Sequence, residues 1–391
     1  MPQRCSLFFS MKVITVLGTR PEAIKLSPII HELRRRSRSG GLETKVCVTS
    51  QHREMMDQVL RLFNIVPEFD LNIMEEGQSP AFVASAILGR IEKIYQTEHP
   101  DWILVQGDTT TVAAASLAAF YCGVKVGHVE AGLRTNDKWF PFPEEINRRV
   151  AGVIADLHFA PTEQARQNLL NEGIQDHQIL VTGNPVIDAM QWISKHPANS
   201  SGLPQIQDMT PDGAKLILVT AHRRENFGEP ISNICHALRD IAECFGNQLH
   251  IVYPVHLNPN VWEPVHRLLK DIDNITLTSP LDYFSFIQLM KSSYMILTDS
   301  GGIQEEATGL GIPVLVLRNI TERPEAVLAG NARLVGTDRE KIVAETTKLV
   351  KNIQHRREMA KQTNMYGDGR ASERIVSALL GEEAIPFKPS C

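Results

Sequence analysis

Short apolar runs recur along this chain, each broken by a polar turn and followed by a stretch with helical spacing. In the first half they are Lys12–Leu17, Thr44–Thr49, Trp102–Val105, Lys125–Val129, Ile154–Ala160 and Ile179–Val181. In the second half they are Lys215–Thr220, Leu249–Tyr253, Ile275–Leu277, Tyr294–Thr298, Val314–Leu317 and Arg333–Val335. Helical patterns fall between them, at 54–63, 80–97 and Thr110–Tyr121, with a last one at Ser372–Leu380. Near-continuous apolarity is what a strand covered on both faces requires. Strand and helix in alternation predict a doubly wound α/β layer with a parallel sheet.

The chain of 391 residues has room for two such layers. Gly183-Asn184-Pro185 reads as a hinge, and a stretch rich in Pro, Ser, Asn and Asp at about 195–213 leads into the second set. The expected division is a disordered tail at 1–10, a Rossmann-like domain at 11–183, a second at 184–366, and a C-terminal segment at 367–391. Residues 1–10 are read as a tail or a start-site artefact because Met11-Lys12-Val13 opens a clean strand. Two α/β halves joined by a hinge predict a central cleft with ligands at the carboxyl ends of the strands.

Bulk numbers remove several function classes. A net charge of −5 argues against a general nucleic-acid surface, so phosphate-binding cations must be local. The longest apolar candidate, Val112–Val124, is Ala-rich, interrupted by Ser116 and too short for a bilayer, so no membrane partner is expected. Leu7-Phe8-Phe9 with a single Arg is too little for a signal peptide. Six cysteines without CxxC spacing fit a reducing cytoplasm. There is no HExxH, GxSxG, Walker loop or GxGxxG, so neither a catalytic metal nor a nicotinamide cofactor is expected.

The polar clusters stand at strand ends. Asp299-Ser300-Gly301-Gly302 follows the 294–298 run and opens a helix. Ser300, Gly301 and Gly302 there predict a phosphate cradle of backbone N–H groups, with glycines permitting close approach. Glu306, one helical turn after Gly302, is placed to accept from ribose hydroxyls, and Arg318 and Arg323 add local charge. A plain Gly-rich turn is the alternative. Gly18-Thr19-Arg20-Pro21-Glu22-Ala23-Ile24-Lys25 brings Arg20 and Lys25 to the end of the first strand, either as cleft cations or as surface basics on a capped helix. Asp108 either caps the 110–121 helix or faces the cleft. Glu130 ends a buried strand, a costly place for a charge without a role. Glu144 opens a helix, as dipole partner or as a reacting carboxylate. Three carboxylates in one half and a phosphate cradle in the other suit proton transfer at a sugar carbon. His222, beside Arg223 and Arg224, is either a structural histidine or a partner of a leaving phosphate, and His256 sits in a Pro-rich turn.

GTRPEAIK, QGDT, HVEAGLR, FPEEINR, TAHRREN, YPVHLNP, DSGGIQEE and TERPE occur in this order. With them the chain resembles the non-hydrolysing UDP-N-acetylglucosamine 2-epimerases from residue 11 to about 380. The resemblance implies a GT-B fold, two Rossmann-like domains with the C-terminal helix returning to the first. It implies a homodimeric isomerase that interconverts UDP-GlcNAc and UDP-ManNAc through elimination of UDP, a 2-acetamidoglucal and re-addition, without a cofactor. By motif, Asp108, Glu130, Glu144 and His222 are the catalytic set. Arg20, Lys25 and His222 hold the diphosphate, as do Ser300, Gly301, Gly302 and Arg323. Glu306 takes the ribose, and Phe286 and the backbone of Leu281 the uracil; relatives carry Gln at position 281. Gln51, His52, Arg223 and His256 match a second UDP-GlcNAc site found in some bacterial relatives. Glu54 and Gly77 replace the Gln and Arg such relatives carry. Two other readings stay open, a GT-B glycosyltransferase using a UDP-sugar and a nucleotide-sugar-binding regulator.

Overall fold

The computed structural model describes residues 10–49, 53–73, 78–195, 211, 213–361 and 363–389, with residues 53–55 described for the backbone alone. The expected tail, apart from Ser10, lies outside the described residues, as do Gln51, His52, Gly77 and the side chain of Glu54.

The chain divides into two compact units, one of residues 1–192 with 367–388 and one of 193–366 with 389–391. The first unit runs β1 (Met11–Leu17), α1 (Arg20–Ser37), β2 (Leu42–Val48), α2 (Arg53–Leu62), β3 (Phe69–Asp70), α3 (Pro80–Glu98) and β4 (Trp102–Gln106). It continues through α4 (Thr110–Tyr121), β5 (Lys125–Val129), α5 (Glu144–Ile154), β6 (Leu157–Ala160), α6 (Glu163–Asn171), β7 (Ile179–Val181) and α7 (Pro185–Lys195). Among the described residues its seven strands lie in the order β3-β2-β1-β4-β5-β6-β7. All are parallel, with Val13 opposite both Thr44 and Trp102.

The second unit runs β8 (Lys215–Thr220), α8 (Glu229–Phe245), β9 (Leu249–Pro254), α9 (Pro259–Leu269), β10 (Ile275–Thr278), α10 (Tyr283–Ser292) and β11 (Met295–Thr298). It continues through α11 (Gly301–Gly309), β12 (Val314–Val316), α12 (Pro324–Leu328), β13 (Ala332–Leu334), α13 (Arg339–Lys351) and α14 (Ile353–Met359). Among the described residues its six parallel strands lie in the order β10-β9-β8-β11-β12-β13. In each sheet the order reverses beside the first strand, between β1 and β4 and between β8 and β11. Such a switch point leaves a crevice at the strand carboxyl ends.

Each core is the product of the apolar runs. Ile14, Val16, Ile103, Val105 and Val126 are packed with Val112, Ala115 and Ala119 of α4. In the second unit α8 turns Ile231, Ile234, Cys235, Leu238, Ile241 and Phe245 onto Ile217, Val219 and Ile251. That spacing is one helical stripe, and each such side chain fully buried contributes about 1.5–3 kcal/mol.

The last helix, α15 (Ala371–Leu379), belongs to the first unit and packs against α1. Asp188 of α7 accepts from Ser372 N at 2.8 Å and Ser372 Oγ at 2.7 Å, capping its first turn. Arg374 pairs with Asp368 at 2.7 Å and Arg36 with Glu382 at 2.8 Å.

Several boundaries differ from expectation. Ile154 ends α5 rather than opening a strand, and β6 begins at Leu157. The helix carries the apolar run to Ile154, and Ala155 then turns extended, its N–H still donating to Ala151 O. The cap of α4 is Thr109, whose side chain accepts from Val112 N, and not Asp108. The pair Phe69–Asp70 of β3 is too short to leave a period in the sequence.

Candidate functional site

In the first unit the polar clusters gather at the switch point. β1 ends at Leu17, and Gly18 packs so tightly on α4 that a Cβ there would lie 2.1 Å from Thr111 Oγ1. The buried Glu22 clamps this turn, accepting from Gly18 N at 2.5 Å and Thr19 Oγ1 at 3.0 Å. Burial drives its carboxyl up to about 7, against the hydrogen bonds from Thr109, Gly18 and Thr19. Arg20 opens α1 and is half-buried.

Glu130 follows β5 with φ +62, a left-handed backbone for a side-chain-bearing residue that costs about 1–2 kcal/mol. The turn delivers its carboxylate to three donors. Lys25 Nζ reaches Oε1 at 2.6 Å, Asn184 Nδ2 reaches Oε1 at 3.0 Å, and Gln106 Nε2 reaches Oε2. Lys25 and Glu130 are both buried. Lys25, expected as a diphosphate ligand, pairs here with Glu130.

Asp108 follows β4 and Gly107, and its partner is the buried Arg148 of α5. Arg148 also meets Glu145 Oε2 and Leu133 O, each at 3.3 Å. Glu144 is the first residue of α5 and is half-buried. Its neighbour Glu145 is fully buried and accepts from Thr135 N at 3.1 Å and Asn136 N at 3.3 Å, a structural carboxylate fastening the preceding loop. His128 Nε2 lies 2.7 Å from Gly107 O, and burial pushes that imidazole down to about 4. It is neutral at physiological pH and donates to the loop that carries Asp108. The first unit thus brings Arg20, Lys25, Asp108 and Glu130 onto the ends of adjacent strands β1, β4 and β5.

In the second unit β8 and β11 are neighbours, with Thr220 opposite Thr298. Asp299 follows β11 and is fully buried. Its Oδ2 accepts from His222 N and Arg223 N at 2.8 Å each and from Asn226 Nδ2 at 3.0 Å. His222, partly exposed, has Nδ1 3.6 Å from Asp299 Oδ1. Its ring stacks on His256 with centroids 5.4 Å apart and an interplanar angle of 12°.

Ser300 precedes α11 without capping it through its side chain. The first-turn N–H groups of that helix meet a positive dipole end suited to an anion. The two glycines differ. A Cβ on Gly301 would lie 2.3 Å from Arg323 Nη1, whereas a Cβ on Gly302 would meet open space. Arg323 donates to Glu305 Oε1 at 2.7 Å and pairs with Glu322 Oε1 at 2.9 Å. Arg318 is held by Glu225 at 2.5 Å and Glu322 at 2.7 Å. Both guanidiniums are buried against carboxylates. Glu306, also buried, accepts from Tyr283 OH of α10 at 2.8 Å. Leu281 precedes Asp282, the cap of α10, and Phe286 lies in that helix; both are half-buried. Of the four second-site residues, Arg223 Nη2 is 3.7 Å from Glu322 and the exposed His256 is the ring against His222.

Sequence reasoning missed Gln106, Arg148, Asn184, Tyr283 and Asp299. Asp299 carried the same signal as Glu130, a carboxylate directly after a buried strand. Arg148 and Asn184 stood inside quoted motifs without a partner to name.

Two doubly wound sheets, each with its chemistry at the switch point, place the chain in the GT-B class. The family profile described as UDP-N-acetylglucosamine 2-epimerase matches residues 32–380. The UDP-N-acetylglucosamine 2-epimerase of Escherichia coli K12 is 53% identical over 374 residues, 94% of this chain and 98% of that one. The crystal structure of the Neisseria meningitidis enzyme bound to UDP-GlcNAc aligns with a TM-score of 0.91 at 47% identity, covering 95% of this chain and 100% of that one. A Methanocaldococcus jannaschii enzyme in complex with UDP-GlcNAc and UDP aligns with a TM-score of 0.82 at 34% identity, covering 95% of this chain and 100% of that one. The chain belongs to the UDP-N-acetylglucosamine 2-epimerase family.

Proposed function

We propose that this protein is an isomerase that interconverts UDP-N-acetylglucosamine and UDP-N-acetylmannosamine. The observation that carries the reading is the 53% identity to the Escherichia coli enzyme over 94% of the chain. The polar residues at the strand ends supply the chemistry. Inverting C2 requires its C–H bond to break, and that proton is not acidic enough to leave unaided. Its loss is coupled to departure of UDP: the C1–O bond breaks with its electron pair going to the diphosphate. The C2–H pair becomes the C1=C2 bond of 2-acetamidoglucal, and a carboxylate of Asp108, Glu130 and Glu144 takes the proton. On return a proton reaches the other face of C2, and the UDP oxygen adds to C1.

The α11 terminus at Ser300–Gly302 receives the diphosphate, with Arg20, Lys25, His222 and Arg323 as the further phosphate partners. Glu306 binds the ribose by exchanging its Tyr283 hydrogen bond for ribose hydroxyls, and Phe286 with the Leu281 backbone takes the uracil. Gln51, His52, Arg223 and His256 are the residues of a second nucleotide-sugar site. No cofactor or metal enters these steps. The protein works as a cytoplasmic homodimer and supplies a ManNAc-type precursor for surface polysaccharide.

Incubation with UDP-GlcNAc alone in D2O, followed by NMR, tests this reading. UDP-ManNAc carrying deuterium at C2 is expected, with traces of UDP and 2-acetamidoglucal escaping on long incubation. Full protium at C2 would point to internal return of the proton or a hydride route, and transfer to an added acceptor without epimer formation would identify a glycosyltransferase.

A further inference from the structure

We propose that Asp299 is a positioning residue for His222, holding the imidazole by its Nδ1–H so that Nε2 serves the departing diphosphate. The inference rests on the reading above, in which His222 assists loss of UDP.

Asp299 is fully buried, and its two oxygens are unequal. Oδ2 is saturated by His222 N, Arg223 N and Asn226 Nδ2. Oδ1 has no hydrogen-bond partner among the described residues. A buried carboxylate oxygen left without a donor is uncommon and costly. The polar atom facing it is His222 Nδ1 at 3.6 Å, an ion-pair separation just beyond hydrogen-bond length. Hydrogen bonds of this kind are commonly long before substrate arrives. A loop clamp alone needs only Oδ2, so it leaves the placement of Oδ1 unexplained.

The other groups around the ring support the same protonation. His256 lies flat against His222, and its Nδ1 accepts from Asn258 N at 3.0 Å. An imidazole that accepts through Nδ1 is the neutral Nε2–H tautomer, so it does not repel a charge on His222. The adjacent Arg223 has its guanidinium 3.7 Å from Glu322. Asp299 is therefore the anion that balances an imidazolium at His222. In the forward step Nε2–H gives its proton to the leaving diphosphate oxygen, and the ring becomes neutral with the remaining proton on Nδ1. Re-addition of UDP returns the proton to Nε2.

The test uses full-length protein with 15N-labelled histidine. His222 signals are assigned by their loss in His222→Gln, and long-range 1H–15N spectra report tautomer and titration. In the wild type the neutral ring is expected as Nδ1–H. In Asp299→Asn the amide oxygen must serve the two backbone N–H groups, which turns its NH2 toward Nδ1 and forces the Nε2–H tautomer. The His222 titration midpoint is expected to fall by about one pH unit or more. Turnover is expected to fall at least ~100-fold with KM little changed. A wild-type ring in the Nε2–H tautomer would overturn the proposal, as would an unmoved midpoint in a folded Asp299→Asn. If that variant does not fold, the wild-type tautomer alone decides. Normal turnover by His222→Gln would remove the reaction role and the proposal with it. Tautomer and midpoint are read without turnover, so this pairing and the epimerase reading fail separately.

Discussion

Lys25 Nζ lies 2.6 Å from Glu130 Oε1, tying the middle of α1 to the residue that ends β5. Both side chains are nearly solvent-free, so neither charge is tolerable alone. Removing one partner of such a pair costs about 3–5 kcal/mol, because the other stays buried and uncompensated. Lys25→Met should therefore lose about that much in urea unfolding. Lys25→Met with Glu130→Gln should recover part of it, since the amide needs no counter-charge. A Lys25→Met protein as stable as wild type would mean that Gln106 and Asn184 hold Glu130 unaided.

The two glycines opening α11 separate structure from ligand binding. Gly301 lies beneath the Arg323 guanidinium, which Glu305 and Glu322 fix in place. Gly301→Ala should lower the melting temperature. Gly302→Ala projects into open space and should leave melting unchanged while weakening UDP about tenfold, some 1.4 kcal/mol. Gly302→Val, with a branched side chain in the anion's place, should abolish UDP binding in a folded protein. UDP affinity within a factor of two of wild type in Gly302→Val, by calorimetry, would remove the cradle assignment.

Glu22 makes stability depend on pH in an uncommon direction. Its carboxyl is raised by burial from 4.5 to about 7, so between those values the folded state holds a proton that the unfolded chain has released. Stability from this group is full below about 4.5 and is lost as pH rises to about 7. The loss amounts to about 3 kcal/mol. Asp188, raised by burial to about 6, acts in the same sense. His128 and His158, pushed down to about 4, act in the opposite one as pH rises toward 6.5. The readable quantity is therefore the difference between wild type and Glu22→Gln. Wild type should lose ground against the variant from pH 4.5 to 7 and stay parallel above it. Parallel curves throughout would show that Glu22 titrates normally.

The layering of the fold was plain in the sequence because strands covered on both faces must be largely apolar, as the central strands β1, β4, β8 and β11 are. Phe69–Asp70, with only two residues of ladder, leaves no such run. The chemistry was legible in outline for a related reason: polar residues directly after such strands stand at a crevice. What stayed hidden was pairing. Glu144 and Glu145 are indistinguishable as letters, yet Glu145 is wholly buried on backbone donors and Glu144 is not. Arg318 and Arg323 read alike as cations after a strand, and their carboxylate partners Glu225, Glu305 and Glu322 are not readable there. Long-range partners such as Gln106 and Asn184 on Glu130 depend on tertiary placement, which no local period records.

Asp108 and Arg148 give the last prediction. Arg148 is buried on α5, and its guanidinium spans Asp108, Glu145 and Leu133 O. It fixes the carboxylate at the end of β4 without itself needing to meet the sugar. Asp108→Asn removes one of the three carboxylates proposed for proton transfer, and turnover should fall at least ~100-fold, as should that of Glu130→Gln and Glu144→Gln. Arg148→Lys keeps the charge but loses the fork that orients Asp108, so kcat should fall about tenfold with UDP affinity unchanged. The double variant should be no slower than Asp108→Asn alone, because an orienting residue has nothing left to orient. Multiplying losses would show instead that Arg148 meets the substrate independently. Normal turnover in all three carboxylate variants would show that the acid–base groups are other residues.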